Sequence, residues 1–267
     1  MENVTSADGT KIAFEISGNG PPLILVHGAS ASSARWGKVR PLLEAHFTVV
    51  AVDRRGRGES GDGSGPYAIE AEYADVAAVV EAMAEPVILF GHSYGGVTAL
   101  GATELTDLIA ALIIYEAPVE AKGDTPIKVL DRLDETLDEG DREGVLKIFC
   151  EEIVRMRPGD IAALRASPAW PARVAAAHTI GRELRVIEGF DPGKLPLEKI
   201  SIPTLLLHGA DSPDFLVNSM HKLASLMPYA KQVALEGQQH VAMDTAPQML
   251  TDAVVEFWRD TGGSPIN

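Results

Sequence analysis

The feature that most constrains this chain is a sharp turn written into residues 86–100, PVILFGHSYGGVTAL. Val87-Ile88-Leu89-Phe90 is an unbroken apolar run, the pattern of a strand buried on both faces. Gly91-His92-Ser93-Tyr94-Gly95 follows, and then small residues compatible with a helix. Glycines two before and two after a serine mark places where neighbouring backbone passes too close for a Cβ. Such a turn lifts Ser93 above the sheet in a strained backbone conformation. The helix that follows points its N-terminus at the serine, where free N–H groups and partial positive charge favour an oxyanion. With 25 glycines in the chain, the five-residue pattern alone also fits an inert strand–helix turn. The apolar strand before it and the helical run after it favour the first reading.

Strand and helix signals alternate around this turn. Residues 2–17 read as a hairpin about Asp8-Gly9, then Leu23–Val26 and Phe47–Val52 read as buried strands. A helix is expected from Ser33 to Glu44 and another over 69–83. After the turn, Leu112–Tyr115 is a strand ending at Glu116-Ala117-Pro118. From 119 to 197 strand signals vanish, and helical pieces fall near 126–139, 142–156 and 169–189, with Pro158-Gly159, Pro168 and Pro171 as breakers. Strands return at Pro203–Leu207 and Lys231–Leu235, with helices over 214–226 and 247–259 and a frayed tail at Gly262-Gly263-Ser264-Pro265. Alternation of this kind predicts an α/β fold, a mostly parallel sheet with helices on both faces. Residues 1–118 and 198–267 form its core, and 119–197 a helical cap inserted over the strand ends. Ligands bind outside the carboxyl ends of such strands, which is where Ser93, Glu116, Asp211 and His27 all fall.

Composition excludes some partners. A formal charge of −15 disfavours nucleic acid and anionic membrane surfaces. No apolar run is long enough to span a bilayer, and MENVTSADGT lacks the basic start and apolar core of a signal peptide, so the cytoplasm is the expected location. Cys150 is the lone cysteine, which precludes an intrachain disulfide; it is expected to be a small buried residue. No histidine pair or cysteine cluster has metal-ligand spacing, so neither metal nor cofactor is expected.

The motifs Leu25-Val26-His27-Gly28, Asp53-Arg54-Arg55-Gly56-Arg57-Gly58-Glu59-Ser60, Gly91–Gly96, Pro203–Gly209 and Gly237-Gln238-Gln239-His240 stand in one order along nearly the whole chain. In them the chain resembles the α/β-hydrolase family. Tyr115–Pro118 with Gly209–Pro213 is similar to a bacterial subgroup and, more distantly, to resorcylic-lactone hydrolases. The resemblance implies a serine nucleophile, Ser93, a late histidine base, His240, and an acid between them. Glu116 is favoured for the acid, because its apolar surroundings demand a partner for a carboxylate. Asp211 is the runner-up, since the G-x-x-D spacing common in the family would place the acid at Ser212. The backbone N–H groups of Ala29 and Tyr94 are the expected oxyanion donors. His92 is read as a packing and hydrogen-bonding residue and His27 as a brace that can also reach the pocket. Phe149, Ile153, Met156 and Trp170 either line that pocket or pack the cap together, as do Ile148 and Val174. Arg54, Arg55 and Arg57 are read as solvated, with anion binding as the alternative.

The expected activity is hydrolysis of a small or medium apolar ester or lactone through an acyl-enzyme, without a cofactor. Carbon–carbon bond hydrolysis, cofactor-free perhydrolysis and acyl transfer remain open on the same residues, and a non-catalytic ligand-binding receptor is a further alternative. The sequence carries no statement of oligomeric state.

Overall fold

A computed structural model describes residues 1–120, 123 and 125–262; residues 263–265 of the tail lie outside the described residues. Eight strands form one sheet: β1 (Glu2–Thr5), β2 (Lys11–Gly18), β3 (Pro22–Val26), β4 (Thr48–Val52), β5 (Val87–His92), β6 (Ile109–Tyr115), β7 (Thr204–Gly209) and β8 (Ala230–Leu235), in the order β1-β2-β4-β3-β5-β6-β7-β8. The hairpin β1–β2 pairs antiparallel, and β2 lies antiparallel on β4; every other pairing is parallel.

The apolar runs divide by strand alternation. Ile24, Val26, Leu89, Leu112 and Ile114 point into one core cluster, Leu23, Leu25, Ile88, Phe90 and Ile113 into a second on the opposite face. Each such fully buried side chain stabilises the fold by about 1.5–3 kcal/mol. Helices α2 (Ile69–Ala82), α3 (Tyr94–Ala102) and α9 (Asp214–Leu226) pack over the first cluster. Helix α1 (Arg40–Leu43) and α11 (Pro247–Asp260) contribute to the second, with the short α10 (Ala242–Thr245).

Between β6 and β7 lie α4 (Ile127–Asp138), α5 (Arg142–Ile148), a π-helical turn at Phe149–Ile153, α6 (Pro158–Arg165), α7 (Trp170–Ala175) and α8 (Ile180–Gly189). These helices carry their own apolar cluster, which includes Leu133, Leu146, Cys150 and Ile180.

Four helix expectations change, the first being the piece expected over 142–156, which is α5 and the π-helical turn that ends at Ile153. The helix expected over 33–44 is a 3-10 turn at Ser33–Trp36 followed by α1, interrupted at Gly37 and restarted with Pro41 in the first turn. A proline there forfeits no intrahelical bond, whereas in an interior it would. For the same reason Pro158 begins α6 instead of breaking the chain. The helix expected over 169–189 is α7, a 3-10 turn at Ala176–Thr179, and α8.

Candidate active site

Parallel register puts three strand ends side by side. Val26 pairs with Gly91 and His92 with Tyr115. Residues 27, 93 and 116, each just past its strand, therefore emerge along one edge. Ser93 sits at φ +56°, ψ −127°, outside the regions open to most side chains. Its N–H donates to the Tyr115 carbonyl at 2.8 Å, and the Gly96 N–H donates to its carbonyl at 2.8 Å. The flanking glycines are required: a Cβ on Gly91 would stand 2.4 Å from the Gly95 carbonyl oxygen, and one on Gly95 2.3 Å from that of Val26. A Cβ on Gly28 would meet the Ser93 Cβ at 2.7 Å, so this loop lies directly against the serine.

Glu116 is fully buried and also left-handed, at φ +50°. Its carboxylate accepts two hydrogen bonds, from the Gly209 N–H at 2.7 Å and from His240 Nδ1 at 2.5 Å. With the carboxylate on Nδ1, the proton stays there and Nε2 keeps its lone pair. Such a ring can accept a proton from a hydroxyl, and the carboxylate stabilises the imidazolium that results. Asp211 is elsewhere. Its carboxylate is half exposed with Arg157 4.0 Å away, and its carbonyl accepts from Gln239 Nε2 at 2.8 Å.

Two residues hold the His240 loop in ways no local pattern signals. Tyr115 donates its hydroxyl to the Gln239 carbonyl and accepts from the Ala242 N–H at 3.3 Å. His92 donates Nε2–H to the His240 carbonyl at 2.9 Å, and the two imidazole rings pack with centroids 4.5 Å apart, tilted by 39°. Burial, then the nearby His240, pushes the His92 pKa well down, so the ring is neutral. His27 is buried as well, its pKa pushed down by desolvation and then by Arg54. It donates from Nδ1 to the Gly28 carbonyl at 2.8 Å and accepts the Arg54 N–H at Nε2, 3.1 Å.

Ser93 and His240 open on one cavity of about 620 Å³, between the strand ends and the helices that follow β6. Among the described residues no hydrogen bond joins Ser93 Oγ to the imidazole; in unliganded sites this contact is commonly long and tightens with substrate. Ala29 borders the cavity. The Tyr94 N–H is the first of α3, with no carbonyl one turn back to accept it. Phe149 and Met156 form part of the wall. His27, Ile153 and Trp170 do not: His27 braces the loop, and the other two pack on the apolar cluster of the helices. Cys150 is buried at the wall, its thiol pushed up to about 11 by desolvation.

The arginine loop departs from expectation. Arg54, Arg55 and Arg57 are buried, not solvated. Arg54 makes a two-pronged pair with Glu72, 2.7 Å on each arm, and reaches Glu183 of α8 at 2.5 Å. Arg57 meets the same Glu183 and donates to the Thr179 hydroxyl at 2.8 Å. Arg55 pairs with Asp75 at 2.6 and 2.7 Å. The Arg54 guanidinium also lies 4.5 Å above the Tyr94 ring. Among the described residues no group of three His, Cys, Asp or Glu is placed to hold a metal ion, and no helix is long and apolar enough to cross a membrane.

A model of the alpha/beta hydrolase family matches residues 23–253. An alpha/beta hydrolase structure from Sphaerobacter thermophilus is 37% identical, with TM-score 0.85 over 96% of this chain and all of that one. An esterase structure from Rhodococcus sp. is 27% identical, with TM-score 0.79 over 98% and 99%. A non-heme chloroperoxidase of Streptomyces lividans is 27% identical over 96% of this chain and 99% of its own length.

Proposed function

We propose, from the premise that this chain belongs to the alpha/beta hydrolase family, that it is a serine hydrolase of small carboxylic esters or lactones. The observation that carries this reading is the buried Glu116–His240 hydrogen bond opening on the cavity that holds Ser93. His240 Nε2 takes the proton of Ser93 as Oγ attacks the substrate carbonyl. The oxyanion lies between the N–H groups of Ala29 and Tyr94, beside the N-terminus of α3. The alcohol leaves with the proton from His240, and water, deprotonated by the same ring, releases the acyl group. Residues 119–197 act as the cap, and Phe149, Met156 and Leu164 give its face of the cavity an apolar lining. Esterase relatives support ester chemistry for this arrangement.

The test is turnover of p-nitrophenyl acetate with covalent labelling by a fluorophosphonate. Both are expected in the wild type, and Ser93→Ala is expected to abolish labelling and lower kcat by about 10⁴-fold or more. Silence toward a broad ester panel together with absent labelling would sink the assignment. The chloroperoxidase relative favours a second reading, in which hydrogen peroxide replaces water and leaves as a peracid. Halide oxidation that needs ester, peroxide and Ser93 together would establish it.

A further inference from the structure

Four arginines are buried among the described residues, and one of them differs from the other three. Arg54, Arg55 and Arg57 each face a carboxylate. Arg173, on α7, makes no ion pair, although Asp244 on the same cavity wall acts on it from beyond hydrogen-bond distance. Its Nη1 donates to the carbonyl and the hydroxyl of Ser30, both at 3.1 Å. Its Nε is buried without an acceptor, and no acceptor for Nη2 is found among the described residues. The side chain is more than nine-tenths buried and forms part of the wall of the cavity that holds Ser93. Burial, then the neighbouring Arg35, lowers its pKa to about 10, which leaves it charged at neutral pH. Arg35, a neighbouring cation, is paired with Asp244.

An uncompensated buried cation destabilises a fold, and replacing it by an apolar group is usually tolerated. The bonds to Ser30 explain part of its presence, because Ser30 is left-handed at φ +53° and its carbonyl needs holding. A neutral amide could donate those bonds. The charge and Nη2 are left over, and a guanidinium N–H at a cavity wall donates a charge-assisted hydrogen bond to a carboxylate.

We infer that Arg173 is the carboxylate-binding subsite of this cavity, and that the substrate is an ester or lactone carrying a free carboxylate apart from the reacting carbonyl. The subsite deepens the serine-hydrolase reading and rests on it for its part in turnover. The Arg173 Nη2 and its charge fix one end of the substrate, the apolar wall takes its middle, and the carbonyl is delivered to Ser93.

Two matched substrate pairs test this, each differing by one charge. The first is 4-nitrophenyl hydrogen glutarate against 4-nitrophenyl methyl glutarate, with the charge on the acyl side. The second is 4-acetoxybenzoate against its methyl ester, with the charge on the alcohol side. In at least one pair the wild type is expected to favour the acid in kcat/KM by about tenfold or more, the scale of a charge-assisted pair. Arg173→Gln is expected to erase that ratio, and Arg173→Lys to restore part of it. Equal loss on acid and neutral ester would assign Arg173 to holding the Ser30 loop and overturn the subsite. So would a wild type that does not prefer the acid in either pair.

Binding gives a readout independent of turnover. Hexanoate is expected to raise the Tm of the wild type, hexanamide is not, and the shift should vanish in Arg173→Gln. Equal shifts from the two ligands, or a shift that survives the substitution, would count against the subsite. Labelling of Ser93 and turnover of the neutral esters report on the hydrolase assignment separately. If Arg173→Gln folds poorly, Arg173→Met provides the uncharged variant.

Discussion

A carboxylate cut off from water keeps its charge only where hydrogen bonds replace the solvent it has lost. Glu116 has two such bonds, and each serves the proposed chemistry differently. Gly209 N–H fixes one oxygen to the end of β7, and the other oxygen orients the His240 ring. Glu116→Gln preserves shape but places a neutral amide against Nδ1, which no longer stabilises an imidazolium. Its kcat on p-nitrophenyl acetate is expected to fall by about 10³–10⁴-fold, whereas Asp211→Asn should stay within about threefold. If the Asp211 substitution alone removes activity, the acid has been misassigned. The burial of Glu116 was legible because it follows the apolar run Ile113-Ile114-Tyr115. The burial of Arg54 and Arg57 was not legible. Their shared partner Glu183 lies more than a hundred residues away in sequence, and nothing local distinguishes a paired guanidinium from a solvated one. The same limit hid Tyr115 and Arg173, whose roles depend on which distant backbone or cavity they meet, and it hid the partner of His92.

Between β5 and α3 the structure tolerates almost no added volume. Gly95→Ala would set a methyl 2.3 Å from the Val26 carbonyl oxygen at the end of β3 and 2.5 Å from that of His27, just past it. The expected loss is about 3 kcal/mol or more, read from urea melts, or a failure to fold. Gly159, in the first turn of α6, has open space where a methyl would stand, with nothing within 4 Å. Gly159→Ala should therefore raise stability by about 0.4–1 kcal/mol through the unfolded state. A Gly95→Ala protein as stable as wild type would mean the elbow backbone relaxes far more than its packing suggests. The strands and the elbow were readable because β-alternation and glycine spacing are short-range signals. Beyond β6 the helical pieces near 126–139, 142–156 and 169–189 were readable, but α6, which begins at Pro158, was not. There proline at a helix start and proline as a breaker look alike in sequence, and tertiary packing decides between them.

At the scale of the molecule, buried charge and buried neutral rings both shape the acid side of the stability profile, the rings at the higher pH. The Arg54–Glu183–Arg57 cluster ties α8 to the loop after β4. Glu72 beside it is held below the ordinary carboxylate range by Arg54 and Arg57 against the opposing cost of burial. Its contribution is therefore present above about pH 4.5 and is lost as pH falls through its lowered value. His27 and His92 act higher on the scale. Both have pKa values pushed well below 6.5 in the folded state, so both are neutral there. Below pH 6.5 the unfolded chain binds protons that the native one refuses, and stability rises with pH through that window. Each ring then contributes a slope that approaches about 1.4 kcal/mol per pH unit. Asp75, raised by burial, takes up its proton early and works in the opposite sense on the acid side. Urea melts at pH 7.5, 6 and 5 are expected to show a stable plateau followed by a decline. His92→Gln isolates one ring, since the amide can still donate to the His240 carbonyl. Its decline should be shallower than wild type by up to about 1.4 kcal/mol per pH unit. Parallel profiles for the two proteins would mean that the His92 ring takes up its proton in the folded state as readily as in the unfolded chain.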